Sequence, residues 1–259
     1  MLRSNDLPSS AKPNIMRPHT TPKREEDLNK LRSKKSAVLF DLDGTLLDST
    51  DLILQCFHHS WETVCGFSHS REALVQTFGT PLRDAMHRLL RAGHASKNGN
   101  DLAEVDDEVV DQLLAEYRSY NVVNHDLLAR PFEGAGEVLS ELRRRGYLIA
   151  VVTSKSRELG LRGLRLCSID GLIDSAVFLE DTGVHKPHPE PILAALERLS
   201  KPSRAAAYVG DSQHDIVAAR AAGVQAVAAL WGPAARTDLE SERPDLVVES
   251  ITDLLEIFN

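Results

Sequence analysis

Four aspartates and one lysine are the residues whose types and spacing indicate chemistry. Asp41 and Asp43 directly follow a short apolar run, Asp211 follows a later run, and Asp215 lies four residues beyond Asp211. Lys186 opens the sequence Lys-Pro-His-Pro-Glu-Pro. A group of carboxylates repels itself unless a cation is present, and hard oxygen ligands select Mg²⁺. These acids therefore predict a magnesium site.

The same residue types can transfer a phosphoryl group, which depends on positioning and charge neutralisation by a metal and a lysine. A carboxylate in line with phosphorus can attack it and form an acyl-phosphate. A second carboxyl group can protonate the leaving oxygen and then deprotonate water. Thr153 and Ser154, which follow another apolar run, offer a hydroxyl and a backbone N–H to the remaining phosphoryl oxygens.

Short apolar runs predict the strands that bring these residues together. Runs bounded by polar residues or glycine are typical of buried parallel strands, and helical patterns at 137–145, 191–199 and 215–222 alternate with them. This alternation predicts a doubly wound, Rossmann-like α/β sheet with parallel strands. The predicted strands span residues 37–40, 147–152, 176–178, 206–209, 224–229 and 246–248.

A helical insert interrupts the alternation at residues 51–129. Its apolar positions recur three and four residues apart, at 51–64, 71–78, 82–92 and 105–128, with a polar loop at 93–100. Because the insert follows the first strand, we expect it above the carboxyl edge of the sheet, where α/β folds bind ligands. The domains predicted are therefore a core of 37–50 and 130–259 and a small all-helical cap of 51–129 that acts as a lid.

The N-terminal residues 1–36 differ from the rest in charge and composition. They hold nine Lys/Arg and four Asp/Glu, net +5, which leaves 30 − 9 = 21 basic and 38 − 4 = 34 acidic residues, net −13, in the remainder. Four prolines and few large apolar residues predict a disordered basic tail, with a short helix at 25–34. An acidic body argues against non-specific binding to nucleic acid, which needs a basic surface.

Composition narrows the class of protein further. Hydrophobic residues make up 42% and charged residues 26% of the 259 residues, as in ordinary globular proteins. With no run of 18 apolar residues and no apolar region near Met1, we expect a cytoplasmic protein without membrane contact. Three cysteines without paired spacing fit reduced thiols. Cys56, His58, His59 and Cys65 cannot all face one zinc ion from a single helix.

The motifs resemble those of the haloacid dehalogenase superfamily of phosphohydrolases. The sequence Asp-Leu-Asp-Gly-Thr at 41–45 is similar to the first motif of that family, and an apolar strand ending at Thr153 is similar to the second. Lys186-Pro resembles the third, and Gly-Asp-Ser-Gln-His-Asp at 210–215 resembles the fourth. The resemblance covers 37–259 and places the helical insert where the family has its small cap.

The resemblance also implies catalytic roles. Asp41 corresponds to the nucleophile and a Mg²⁺ ligand. Asp43 corresponds to the general acid and base, with its backbone carbonyl also at the metal. Lys186 corresponds to the cation that neutralises the nucleophile and the phosphoryl oxygens.

The remaining motif residues would bind phosphate and metal. Thr153 and Ser154 correspond to the phosphoryl-binding residues. Asp211 corresponds to a Mg²⁺ ligand, and Asp215 to a ligand that binds the metal directly or through water.

Within the superfamily, the chain is most similar to bacterial pyrophosphatases and phosphoglycolate phosphatases. The segments that carry this likeness lie at 117–126, 186–193 and 210–220. Arg118 and His125 are seven residues apart and share one helical face, so we expect them to present cations to a second phosphate. The resemblance implies inorganic pyrophosphate as first substrate and 2-phosphoglycolate as second.

Other classes stay open at this point. A phosphomutase would share all four motifs, a dehalogenase would use the Asp41 ester without metal, and a non-catalytic module would only bind phosphate. Asp43 argues against the dehalogenase. The expected partner is a small phosphorylated substrate, and the expected state is a monomer or homodimer.

Overall fold

A six-stranded parallel sheet forms the centre of the protein, as the sequence predicts. The structure is a computed structural model that describes residues 36–98 and 106–259, with side chains at 36–92 and 106–259. Its strands are β1 (Ala37–Phe40), β4 (Leu148–Val152), β5 (Ser175–Val177), β6 (Ala206–Gly210), β7 (Gln225–Ala229) and β8 (Leu246–Val248). Their order in the sheet is β5-β4-β1-β6-β7-β8. The short strands β2 (Leu47–Asp48) and β3 (Arg130–Pro131) form a separate antiparallel ribbon.

Strand β1 explains why the predicted strands read as continuous apolar runs. It pairs with β4 on one side and β6 on the other, and its residues are fully buried. Successive side chains point to opposite faces of a strand, so Val38 and Phe40 belong to one hydrophobic core and Ala37 and Leu39 to a second. Both faces are therefore covered, as in other parallel sheets.

Helices cover the two faces. The core helices are α5 (Ala135–Arg144), α6 (Arg157–Leu166), α7 (Glu190–Leu199), α8 (Gln213–Ala222), α9 (Arg236–Ser241) and α10 (Leu254–Ile257), with 3₁₀ turns at Asp170–Leu172, Leu179–Asp181, Ser203–Ala205 and Ile251–Asp253. Leu139 of α5 and Leu164 of α6 pack in the core that contains Val38, while Ile192 of α7 and Ile216 of α8 pack in the other.

The cap consists of helices α1 to α4, which lie between β2 and β3 in the chain. They are α1 (Thr50–Cys65), α2 (Arg71–Val75), α3 (Leu82–Asn98) and α4 (Asp107–Leu128). The pair α1 and α4 forms its centre, where the rings of Phe57 and Tyr117 meet edge to face at 5.2 Å between centroids. No described helix has the length and apolar character needed to cross a bilayer.

Several element boundaries differ from the predictions. Helix α3 continues to Asn98, so a loop from Gly93 was wrong for 93–98; Ala95 and Lys97 favour helix after the apolar spacing ends. Helix α2 ends at Val75 rather than Phe78. The ribbon of β2 and β3 was missed because two-residue strands have no periodicity to read. Helix α6 was also missed, since it contains two glycines that pack closely, Gly160 on the Phe178 ring and Gly163 on Leu47.

The predicted tail lies outside the described residues, together with its helix at 25–34, except for Ser36. That residue is fully buried, and its carbonyl accepts a hydrogen bond from Leu148 N–H at 3.0 Å. Assigning Ser36 to a disordered tail was therefore wrong, since it extends the register of β1 against β4.

Deletion of residues 1–35 tests the predicted tail and keeps Ser36 in place. Because the segment has few large apolar residues to bury, we expect the melting temperature and kcat to equal those of the full chain within error. Differential scanning fluorimetry and a steady-state assay measure both. A lower value of either would show that the segment docks on the cap or core.

Candidate active site

Three carboxylates meet at the carboxyl edge of the sheet. Asp41 follows β1 and Asp211 follows β6, two neighbouring strands, and the Asp41 N–H donates to Val209 O at 2.9 Å. Asp215 lies in the first turn of α8. One oxygen atom from each of the three side chains lies within 4.8 Å of the others, and all three residues are buried. The predicted cluster of Asp41, Asp211 and Asp215 is therefore present.

Lys186 is the cation at the centre of this cluster. Its Nζ lies 2.9 Å from Asp41 Oδ1, 2.7 Å from Asp215 Oδ1 and 3.1 Å from the Tyr208 hydroxyl. Burial disfavours its charged form, but Asp215 and Asp41 outweigh burial and raise the pKa of Lys186 above its usual range. The lysine is therefore a permanent cation that donates hydrogen bonds to Asp215 and Tyr208 and forms an ion pair with Asp41.

One lysine does not neutralise three carboxylates. Burial, with Asp215 adding to it, raises the pKa of Asp41 to about 7 although Lys186 lowers it. Burial, Asp215 and Asp41 likewise raise the pKa of Asp211 well above its ordinary range. The cluster is buried, carries an excess of negative charge and offers only oxygen atoms as ligands. These properties fit a hard divalent cation.

The hydrogen bonds distinguish Asp211 from Asp215 as ligands. Thr45 Oγ1 donates to Asp211 Oδ1 at 2.7 Å, which leaves Oδ2 for an ion. Both oxygens of Asp215 are occupied: Oδ1 by Lys186 and Tyr208, and Oδ2 by Ser212 N–H and Oγ. This pattern suits Asp211 as a direct ligand and Asp215 as a residue that orients Lys186.

Glycine makes room for Asp211. A Cβ at Gly44 would lie 2.2 Å from Asp211 Oδ2, and a Cβ at Gly232 would lie 2.3 Å from Asp211 Cβ. Gly44 also has a φ of +84°, a left-handed conformation that favours glycine. The glycine of the first motif is thus required by the approach of the aspartate of the fourth.

Asp43 lies at the entrance of the cluster and points to the cavity. Ser49 Oγ donates to its Oδ1 at 2.5 Å, and Lys155 Nζ lies 2.7 Å from the same oxygen. No described residue donates a hydrogen bond to the second oxygen of Asp43, Oδ2. That oxygen is therefore available for proton transfer.

A cavity of about 170 Å³ separates the cap from the core. Asp41, Asp43 and Asp211 line its floor beside Thr153, Ser154 and Lys155, and α4 contributes Tyr117, Arg118 and Asn121. The apolar part of its wall comprises Ile53, Phe57, Phe78, Leu82, Ala85, Leu159 and Leu179. Its volume is smaller than the roughly 300 Å³ at the lower end of drug-sized pockets, so it suits a small substrate.

The cap residues predicted to bind substrate separate in the structure. Arg118 is exposed, lines the cavity and has no ion-pair or hydrogen-bond partner among the described residues. His125 is fully buried, its Nδ1 lies 2.7 Å from Asp126 Oδ1, and it does not line the cavity. Burial also lowers the pKa of His125. The structure therefore brings Arg118, and not His125, to the cavity, because the end of α4 packs against the core.

Sequence reasoning gave no role to Lys155 or Tyr208. Lys155 directly follows Ser154, and this position after a strand is the signal that could have indicated a role. Tyr208 lies within β6, where an aromatic residue is typical of a buried strand. Nothing in its spacing shows that its hydroxyl contacts Lys186.

The cap contacts the core through the loop between α2 and α3. Ser154 Oγ donates to Gly79 O at 2.8 Å, and His214 Nδ1 lies 3.1 Å from Phe78 O. Gly79 has a φ of +83°, and a Cβ there would lie 2.6 Å from Ser212 Oγ. The loop can approach the edge that carries the carboxylate cluster only because residue 79 has no side chain.

Comparison with known proteins agrees with this geometry. The family model described as "Haloacid dehalogenase-like hydrolase" matches residues 38–229. The chain belongs to the haloacid dehalogenase-like hydrolase family. The resemblance seen in the motifs is thus confirmed, as are the fold and the enzyme class.

Individual members of the haloacid dehalogenase-like family are similar over most of the chain. A "Putative pyrophosphatase PpaX" of Caldanaerobacter subterraneus subsp. tengcongensis is 41% identical over 224 residues, 86% of this chain and 94% of that protein. "Pyrophosphatase PpaX" of Bacillus thuringiensis is 34% identical over 226 residues, 87% of this chain and 97% of that protein. A "predicted phosphoglycolate phosphatase" from Haemophilus somnus has a TM-score of 0.77 at 24% identity, covering 88% of this chain and 99% of its own, which shows the shared fold.

Substitution of Gly79 by alanine tests the contact between the cap loop and the core. We expect Gly79→Ala to lower kcat/KM by about 10²-fold, since a displacement near 1 Å at a reacting centre costs that much. Gly66→Ala is a matched control, because Gly66 is also in the cap, has a φ of +72° and has no atom within 4 Å of an added Cβ.

Both variants introduce the same kind of backbone strain, so both should lose some thermal stability. Only Gly79→Ala should also have a lower kcat/KM. Equal kcat/KM values for the two variants would show that the loop does not need to approach Ser212 for catalysis.

Proposed function

We propose that the protein is a Mg²⁺-dependent phosphohydrolase that acts through an aspartyl-phosphate on inorganic pyrophosphate. The observation that carries the proposal is the meeting of Asp41, Asp43 and Asp211 on the floor of one small cavity, with Lys186 Nζ 2.9 Å from Asp41 Oδ1. Carboxylates for attack, for proton transfer and for metal binding then lie within one site. The cytoplasmic location, the monomeric or homodimeric state and the absence of nucleic-acid or membrane partners stay predictions.

The first half of the reaction forms the aspartyl-phosphate. A carboxylate oxygen of Asp41 attacks phosphorus as the bond to the leaving oxygen breaks, and Asp43 Oδ2 supplies a proton to that oxygen. The Thr153 hydroxyl and the Ser154 N–H donate to the phosphoryl oxygens. Bound Mg²⁺, held by Asp41, Asp211 and the Asp43 carbonyl, would neutralise the charges of nucleophile and phosphoryl group.

The second half releases phosphate. Asp43, now a carboxylate, takes a proton from water, whose oxygen attacks the phosphorus of the aspartyl-phosphate. The bond between phosphorus and the Asp41 oxygen breaks, which restores the carboxylate beside Lys186. The cap excludes bulk water during the first half, so the intermediate forms before hydrolysis.

Three features support pyrophosphate as the substrate. The two PpaX relatives carry pyrophosphatase in their names. The cavity is small, and Arg118 on its wall has no ion-pair or hydrogen-bond partner in the described part of the chain. Arginine binds phosphate through two parallel hydrogen bonds, so Arg118 suits the second phosphate.

The apolar wall of the cavity supports a second candidate, a small organic phosphomonoester such as 2-phosphoglycolate. Pyrophosphate has no apolar part that could pack against Ile53, Phe57 and Leu159. An organic leaving group has carbon atoms that could pack against these side chains. A phosphate-release assay that compares kcat/KM for pyrophosphate and 2-phosphoglycolate decides between the two candidates.

Metal removal tests the cofactor. EDTA should abolish turnover and Mg²⁺ should restore it, while Ca²⁺ should inhibit because its looser coordination misaligns Asp41. Mg²⁺ should also raise the melting temperature, because it binds only the folded protein. Full activity in EDTA would contradict the mechanism.

The Asp211→Asn variant supplies a control for the metal experiment. It removes one buried negative charge while its Oδ1 still accepts from Thr45, so the metal-free melting temperature should rise. Mg²⁺ should shift that temperature less than in the unmutated protein. Asp170→Asn, an exposed site, should respond as the unmutated protein does.

Substitution of the two acids tests their separate roles. Asp41→Asn should leave only a residual rate, because no aspartyl-phosphate can form. Asp43→Asn should keep the nucleophile and lose about 10²–10⁴-fold in kcat, the usual loss when proton transfer is removed. Acid quench with radiolabelled substrate should trap phosphoprotein for Asp43→Asn only. A near-normal rate for pure Asp41→Asn would identify another nucleophile.

Arg118→Ala tests the substrate. It should lower kcat/KM for pyrophosphate by about tenfold, at the lower end for a charge-assisted hydrogen bond, and leave 4-nitrophenyl phosphate nearly unchanged. Arg91→Ala, an exposed arginine of α3 away from the cavity, is the control. An equal loss on both substrates would mean that Arg118 supports the cap structure and not the second phosphate.

A further inference from the structure

Lys155 lines the cavity, and two hydrogen bonds hold its backbone in place. Its N–H donates to Thr153 Oγ1 at 3.1 Å, and its carbonyl accepts from Leu179 N–H at 3.0 Å. The side chain is 9% exposed and lines the cavity. A lysine held in this way has lost most of the conformational freedom of a surface lysine, so its ammonium has a defined position.

The ammonium lies beside the residue assigned to proton transfer. Nζ is 2.7 Å from Asp43 Oδ1, the oxygen that also accepts from Ser49. A group that donates a proton to a leaving oxygen must touch that oxygen. Lys155 is therefore on the side of the cavity where the leaving group departs, whereas Lys186 lies behind the nucleophile.

The ammonium groups of the two lysines differ in how many partners they have. An ammonium has three N–H donors; Lys186 donates hydrogen bonds to Asp215 and Tyr208 and forms an ion pair with Asp41. Among the described residues, Lys155 Nζ has Asp43 as its hydrogen-bond partner. Two donors thus remain for a ligand in the cavity.

We propose that Lys155 is a catalytic residue that binds the departing phosphate, an inference that rests on the proposed function. As the bond from Asp41 to phosphorus forms, the bond to the bridging oxygen breaks, and its electron pair passes to that oxygen, which takes the proton from Asp43 Oδ2. The ammonium of Lys155 donates hydrogen bonds to the other oxygens of the departing phosphate and offsets their negative charge without losing a proton. Donors aimed at developing charge in a water-excluded site are large contributors to catalysis.

The variants Lys155→Met and Lys155→Arg test this role. Lys155→Met should lower kcat/KM for pyrophosphate by about 10²-fold, and Lys155→Arg should recover part of the loss. The loss should be smaller for 4-nitrophenyl phosphate, whose leaving group is not a polyanion. Lys201→Met, away from the cavity, is the control for loss of a lysine, and melting temperatures report folding.

A double-substitution cycle separates binding of the leaving group from positioning of Asp43. In an Asp43→Asn background there is no carboxylate to position, so a positioning residue would have no further effect. We expect Lys155→Met to lower the pyrophosphate rate in that background as well. If the loss disappears there, Lys155 acts only through Asp43 and the proposal is overturned.

Binding of a stable analogue gives a readout that is independent of turnover. Calorimetry with methylenediphosphonate should show weaker binding by Lys155→Met, while methylphosphonate, which has no second phosphonate, should bind both proteins equally. Equal weakening for both ligands would overturn the proposal. If the unmutated protein does not hydrolyse pyrophosphate, the proposed function fails; if it does and Lys155→Met equals it, only the role of Lys155 fails.

Discussion

The shortage of positive charge around Lys186 is the constraint on which the active-site edge depends. Three buried carboxylates share one buried ammonium, so each must be held in place against its neighbours. The protein does this with neutral donors: Thr45 binds Asp211, and Ser212 binds Asp215. The hydroxyl of Tyr208, a residue of β6, also contacts Asp215. The strands, the first turn of α8 and the glycines beside Asp211 all serve to keep like charges together.

That arrangement explains which parts of the molecule the sequence could predict. Parallel strands buried on both faces have continuous apolar runs, and all six were found in the sequence. Their carboxyl ends meet at one edge, so the residues that follow them were predicted to converge, and Asp41, Thr153 and Asp211 do. The position of a residue directly after a strand sufficed for this prediction, because the sheet fixes the distances between the strand ends.

The remaining features depend on contacts between segments that are far apart in the chain. Lys155 and Asp43 are separated by 112 positions, and no spacing rule indicates that their side chains meet. His125 has the spacing of a residue on the face of Arg118, but tertiary packing at the end of α4 buries it. The two-residue strands of the ribbon are too short to show a period. Sequence reasoning was therefore strongest for the floor of the cavity and weakest for its walls.

The ribbon of β2 and β3 has a consequence for how this enzyme can change. Leu47 pairs with Pro131 and Asp48 pairs with Arg130, so the chain leaves the core and returns to it at adjacent points. Everything between those points can be lengthened, shortened or exchanged without moving a strand of the main sheet. In the proposed function, the reacting carboxylates belong to the core, and the departing phosphate contacts Lys155 of the core and Arg118 of the insert. Exchange of the insert alone would therefore replace the cap side of the cavity wall, including Arg118, and leave Asp41, Asp43 and Asp211 in place.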